Sequence, residues 1–277
     1  MYLAGQRLLR VGYLLLMLPA SLWLAWVLLA RAEFLFPLWY DTLDIDRHIA
    51  TYAPQNRIRP HFQLTTRTER ERLFVALNAA VHDGGRGLAG LRYHAPGGRP
   101  LGTFLTIPER RHLEDVAGLI ETVRWPGWIA TGLWLIVSVA LVRLRLGLPA
   151  WRRTLGGVLA SAAVAGLVVY LMGPERVFYR LHEWVFPADR PWFFYYQESL
   201  LTTLLEAPDL FGAIAVAWAA LALLLLGLSY ALVVHCGPDR RTPDATSGRP
   251  GSNRSAAPPH TRPPGRRGTS ARSGTPG

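Results

Sequence analysis

Four apolar stretches, Val11 to Ala30, Trp128 to Val142, Thr154 to Gly173 and Phe211 to His235, constrain this chain more than any other feature. None contains an Asp, Glu or Arg, and the apolar residues stand in blocks rather than at the i, i+3, i+4 spacing of a surface helix. A membrane-spanning helix needs roughly 20 mostly apolar residues, so each block reads as a span. The second is the shortest and is expected to run on to Leu146 with its terminal arginines snorkelling. The predicted architecture is mainly α: a four-helix transmembrane protein with spans at 11–30, 128–146, 154–173 and 211–235.

The formal charge of +11 raises the question of nucleic acid, but its placement points to topology instead. All thirty basic residues are arginine. Arg7 and Arg10 precede the first span, Arg143, Arg145, Arg152 and Arg153 crowd the connection at 147–153, and eight arginines face two acids after Cys236. Residues 1–10, 147–153 and 236–277 are therefore expected in the cytoplasm, with both termini inside a bacterial cytoplasmic membrane. Residues 31–127 hold 13 Arg against 11 acids and residues 174–210 hold 3 against 6, which places both segments on the extracytoplasmic side. Ala30-Arg31-Ala32 also offers a signal-peptide cleavage site, although the apolar run exceeds the usual ~7–15 residue core. The single Cys236 excludes an intrachain disulfide. Residues 236–277, rich in Pro, Gly, Ser, Thr and Arg, read as a disordered tail that anchors to anionic lipid and has no element for reading nucleic acid.

The segment 31–127 reads as a small α/β extracytoplasmic cap. Phe34, Phe36, Trp39 and Tyr40 suit the lipid headgroup level. Thr68 and Glu71 have capping-box spacing ahead of an apolar periodicity through Val81. Leu91 to His94 and Leu101 to Thr106 can pair as a hairpin around Pro96-Gly97-Gly98. Thr106 and Glu109 form a second capping box, and the helix they start places His112 in the same sector as Val116, Leu119 and Val123. That helix is expected to lie on the membrane surface before the second span begins. Residues 174–210 are dense in aromatics and read as an extracytoplasmic loop, with a helix from Ser199 to Glu206.

His112 and His182 stand in polar or acidic company beside predicted spans. Histidine can take and give protons near neutral pH, which makes the pair the candidate for acid–base chemistry. The plainer alternative is that His112 is a hydrogen-bonded interfacial residue and His182 caps a helix. A metal reading would add Asp115 and Glu183, but no paired spacing such as H-E-x-x-H supports it. His48, His61, His82 and His94 read as solvated loop residues. No phosphate loop, nucleophile elbow or dinucleotide fingerprint occurs, and no cofactor is implied.

The order of a span, an outer segment ending in His112-Leu-Glu-Asp-Val116, two spans, His182-Glu-Trp-Val-Phe186 with Trp192, Leu200 and Pro208, and a last span resembles the bacterial integral membrane family that includes the lipoprotein intramolecular transacylase. The likeness covers roughly residues 8–235; the family usually carries Met where this chain has Leu113 and Phe where it has Leu181. The resemblance implies a cofactor-independent acyl shift within a diacylated lipoprotein, from a glycerol ester to the amine of the terminal cysteine. It implies His112 and His182 as acid and base, Asp115 or Glu183 orienting an imidazole, Arg180 or Arg111 on the oxyanion, and Trp184 and Trp192 against the lipid substrate. A partner- or lipid-binding protein without enzyme activity and a metal-assisted lipid hydrolase are the rival readings, and the oligomeric state is left open.

Overall fold

The computed structural model describes residues 2–148 and 151–236. The expectation of a disordered tail therefore lies, apart from Cys236, outside the described residues.

Helix α1 (Tyr2–Arg31) starts well before the first apolar block, because Leu3, Leu8 and Leu9 continue it toward the N-terminus. It packs between α5 (Ile107–Arg143) and α9 (Asp209–His235). Trp23 on α1 meets Trp128 on α5 edge to face at 5.9 Å, and Trp218 on α9 donates its indole N–H to the Leu22 carbonyl at 2.8 Å. At the far end, Tyr13 and Ser229 share a hydrogen bond of 3.1 Å inside a cluster with Met17, Leu141 and Leu226. These contacts matter because lipid supplies no hydrophobic drive between helices, so packing and interhelical hydrogen bonds hold the bundle.

The expected surface helix and the second span are one continuous helix. Pro126 removes a backbone donor inside α5, yet the helix is not interrupted there, because α1 packs along it and Thr122 and Thr131 bond back to the carbonyls of Gly118 and Gly127. At 1.5 Å per residue a 37-residue helix is ~55 Å long, well beyond the ~30 Å of a hydrocarbon core. Its N-terminal part, carrying Glu109, Arg110, Arg111, Glu114, Asp115 and Glu121, therefore extends beyond the apolar stretch that starts at Trp125.

The four-span expectation is met only in part. Helices α1, α5 and α9 are long and apolar enough to cross a membrane. The remaining candidate, α6 (Trp151–Met172), bends by 99° into α7 (Pro174–Val185), and the two make a fourth span only if counted together. The break falls at Gly173, whose φ of 87° suits glycine, followed by Pro174 at the first turn of α7. So residues 174–185 form a helix where the sequence suggested a loop.

The cap is assembled from α2 (Phe36–Thr42), α3 (Ile45–Tyr52), α4 (Arg67–His82), a hairpin of β1 (Arg92–His94) with β2 (Pro100–Thr103), and α8 (Leu200–Leu205). The hairpin is antiparallel and pairs Tyr93 with Gly102, as expected around the Gly97-Gly98 turn. Helix α4 begins two residues earlier than the capping signal indicated. Thr66, in extended conformation, receives the Glu69 N–H, while Glu71 turns to Arg67 at 2.7 Å. Phe34, Phe36 and Tyr40 are not at a headgroup level but inside the core, where Phe36 stacks on Phe74 at 4.0 Å. They join Ile49, Phe62, Leu73, Phe104, Leu200 and Leu204, so α8 closes the cap from the far end of the chain.

Three of the four histidines read as solvated loop residues are held by the fold. His48 on α3 lies 3.3 Å from Glu206, His82 accepts the Trp26 indole N–H at 3.1 Å, and His94 bonds Glu69 at 2.9 Å. His61 alone of the four is exposed. Periodicity missed the three because their partners come from distant segments.

Candidate active site

The capping box at the start of α5 fixes His112 from below. Thr106 and Glu109 cap one another as predicted, and the fully buried Glu109 carboxylate also accepts the Ser199 hydroxyl at the start of α8. His112 follows one turn later. His182 sits in the last turn of α7, where its Nδ1 lies 2.8 Å from the Phe178 carbonyl. A carbonyl only accepts, so Nδ1 carries the proton and the neutral ring presents Nε2 as a lone pair.

The two rings, seventy residues apart in sequence, come within 6.0 Å centroid to centroid at an interplanar angle of 36°. Aromatic side chains enclose them. Phe186 lies 4.7 Å from His112 and 5.4 Å from His182, Phe178 lies 4.1 Å and Trp192 4.9 Å from His182, and Phe194 approaches His112 at 6.1 Å. Phe178 and His182, one turn apart on α7, and Phe186, which caps its C-terminus, follow one another at i, i+4, i+8 and line the side that meets His112 on α5. That spacing was available in the sequence, and it is the signal that could have identified Phe178 and Phe186 as members of the box; Phe194 carried no such signal.

This environment disfavours charge on either ring. Burial first, then the neighbouring His182, holds the His112 imidazolium down to about 4, against a smaller opposing pull from Asp115. Burial also lowers His182, partly offset by its bond to the Phe178 carbonyl. Both imidazoles are therefore held below the ordinary ~6.5, His112 to about 4, and as neutral rings at pH 7 they can act as proton acceptors.

The other predicted site residues divide. Trp192 is in the box. Asp115, one turn from His112, is engaged by Arg190 from the 186–199 segment, a residue the sequence reading passed over. Glu183 pairs with Arg180 at 3.1 Å on the exposed face of α7. Those two, with Met172, Arg176 and Tyr179, line an open cavity of about 440 Å³ at the α6–α7 elbow, away from the histidine rings. Arg111 is exposed, and Trp184 is 84% exposed. Neither Asp115 nor Glu183 hydrogen-bonds an imidazole, and among the described residues no three His, Cys, Asp or Glu side chains converge as a metal-binding group.

No family model matches the chain, and no curated protein matches it in sequence. Among solved structures it is similar to the membrane integral lipoprotein intramolecular transacylase Lit from Bacillus cereus, with a TM-score of 0.61 at 16% identity, covering 84% of this chain and 96% of that one. Two further structures of that transacylase, with arginine or alanine replacing one histidine, match with a TM-score of 0.58 at 17% identity. Each covers 85% of this chain, and 94% and 96% of the respective structures. Over most of its length, then, this chain has the fold of the membrane-integral lipoprotein intramolecular transacylase.

Proposed function

We propose that the protein is a membrane acyltransferase that moves an acyl chain within a diacylated lipoprotein, using His112 and His182 as its proton-transfer pair on the extracytoplasmic face. The observation that carries this reading is the meeting of two neutral, partly buried imidazoles from distant segments inside one aromatic box. The shared fold adds support. The arginine distribution supports cytoplasmic termini and an outward-facing cap.

In the proposed reaction the amine of the lipoprotein's terminal cysteine attacks an ester carbonyl of its own diacylglyceryl group. The nitrogen–carbon bond forms, the tetrahedral intermediate sheds a proton from nitrogen to an imidazole, and the carbon–oxygen bond to glycerol breaks. The leaving oxygen takes a proton back from the histidine pair, leaving an amide and a free glycerol hydroxyl. Donor and acceptor belong to one molecule, so alignment can supply on the order of 7–11 kcal/mol. At 6.0 Å both rings can reach substituents of one tetrahedral carbon.

Mass spectrometry of lipoprotein N-terminal lipopeptides from expressing cells tests this. N-acylated lyso forms are expected with the wild type and lost in His112→Ala and His182→Ala, each by ~10²-fold or more. Unchanged lipopeptides in all three strains would instead support a binding protein. Attack needs both a free amine and a neutral base, so the rate should fall on the acid side first as the substrate's α-amine, ordinarily ~7.7–8.0, protonates and again toward about 4, where His112 protonates.

A further inference from the structure

A second cleft, formed where α1 and α5 leave the apolar zone beside α4, has no part in the histidine chemistry. Its cavity measures about 340 Å³, a size common among small-molecule sites. The floor is apolar, made by Trp23, Ile120 and Trp128, and the rim carries Arg31 and Arg124 with Asn78. Gly127 is what allows this floor: a Cβ there would lie 2.3 Å from a ring carbon of Trp23.

The two arginines stand at the same boundary. The apolar run of α1 ends at Arg31, and that of α5 starts immediately after Arg124. Counting 1.5 Å per residue from the Trp23 and Gly127 contact, Arg31 lies ~12 Å and Arg124 ~5 Å toward the cap, a difference that two long side chains can bridge. Arg124 pairs with Glu121 at 2.6 Å, whereas no ion pair to Arg31 occurs among the described residues. Asn78 donates to the Glu33 carboxylate at 2.6 Å, so the rim is close to neutral in sum and Arg31 is the guanidinium there left to meet an anion. Two buried polar atoms of lining residues, Trp23 Nε1 and Asn78 Oδ1, also lack a hydrogen-bond partner. A cleft that offers guanidinium donors above an apolar wall, at the depth where headgroups meet acyl chains, matches a phosphodiester with its chains running down the α1–α5 face.

We infer that this cleft is a binding site for an anionic glycerophospholipid of the cap-side leaflet, held by Arg31 and Arg124 and packed against Trp23 and Trp128. The site is independent of the acyl-transfer reading. It ties the base of the cap to the bilayer surface at the point where α5 changes from polar to apolar.

The full-length protein, reconstituted in phosphatidylcholine nanodiscs carrying either phosphatidylglycerol or diacylglycerol, would be released gently and its retained lipid counted by native mass spectrometry. Wild type should retain phosphatidylglycerol over diacylglycerol. The double variant Arg31→Gln, Arg124→Gln should retain about tenfold less. A charge-matched control at the opposite end of the helices, Arg7→Gln with Arg143→Gln, should behave as wild type. Arg31→Gln alone removes an exposed side chain with no ion pair and so reads the site even if the double variant folds poorly; it should lose several-fold. Equal retention by wild type and the Arg31 variant, equal loss in the control, or equal retention of diacylglycerol would each overturn the assignment.

Discussion

The cap and the α6–α7 arm meet at the histidine pair but are held in place by different means. The cap has a continuous core from Phe36 and Ile49 to Leu200, stitched by Glu109 to Ser199 and by the Arg70, Tyr40 and Asp46 network. In the arm, every residue of 156–172 except Val158 is exposed, and α7 has no buried residue at all. One imidazole is thus carried by a rod bedded in a core and the other by an elbow secured through ring contacts. Precision on one side and compliance on the other suit the proposed acyl transfer, in which a bulky lipid would be admitted and then aligned.

The strongest way to break this contrast is to damage the cap core. Phe62→Ala should cost ~3–5 kcal/mol, because Phe62 is fully buried against Tyr93 and Phe104. Val164→Ala in the arm should stay within about 0.5 kcal/mol. Denaturant unfolding of the two purified variants in detergent compares them directly, and similar losses would refute the division. Next in size, Glu109→Ala leaves Ser199 and the Thr106 N–H without their acceptor and should cost about 2 kcal/mol. It should depress turnover and melting temperature together, since the same carboxylate seats the His112 helix.

Gly173→Ala should have a smaller effect on stability, about 1 kcal/mol, since its φ of 87° strains any residue with a Cβ. Because the strain falls at the elbow, its effect on acyl transfer should exceed its effect on cap stability, which separate activity and melting measurements distinguish. A pH dependence inside the cap tests the same contrast by a different route. Burial, then Asp209 and Asp44, push the Glu206 carboxyl up to about 7 from its ordinary 4.5. The folded state prefers the protonated form, so this contribution is present below 4.5 and is lost as pH rises through about 7. Burial lowers the neighbouring His48 and so works in the opposite sense as pH falls below 6.5. Glu206→Gln should abolish the loss between pH 5 and 8 in thermal melts, leaving only the acid-side decline.

Apolar blocks, the hairpin and the Thr106 capping box were legible because each depends on residues close in sequence. Their spatial consequences were less so. The helix carrying His112 was expected to lie on the membrane surface before the second span, but packing against α1 carries it on as one helix through Pro126. The aromatic run after Arg31 suggested a headgroup belt because amphipathic rings serve equally in a cap core, and composition does not distinguish the two. The histidine pair emerged from its polar and acidic company and then from motif resemblance, whereas its box required three-dimensional proximity. Glu183 sat beside His182 in sequence but points about 100° away from it and pairs with Arg180, whereas Asp115 shares a face with His112 and is taken by Arg190 from a distant segment.

The unbroken run of α5 through Pro126 has a mechanical corollary. His112 stands twelve residues beyond Arg124, ~18 Å along the same rigid shaft that crosses the apolar zone. A helix answers a thinner or thicker bilayer by tilting, and a shaft without a joint passes that tilt to its tip as sideways travel. If α5 tilts in this way, the His112 imidazole at its tip shifts sideways against the elbow opposite.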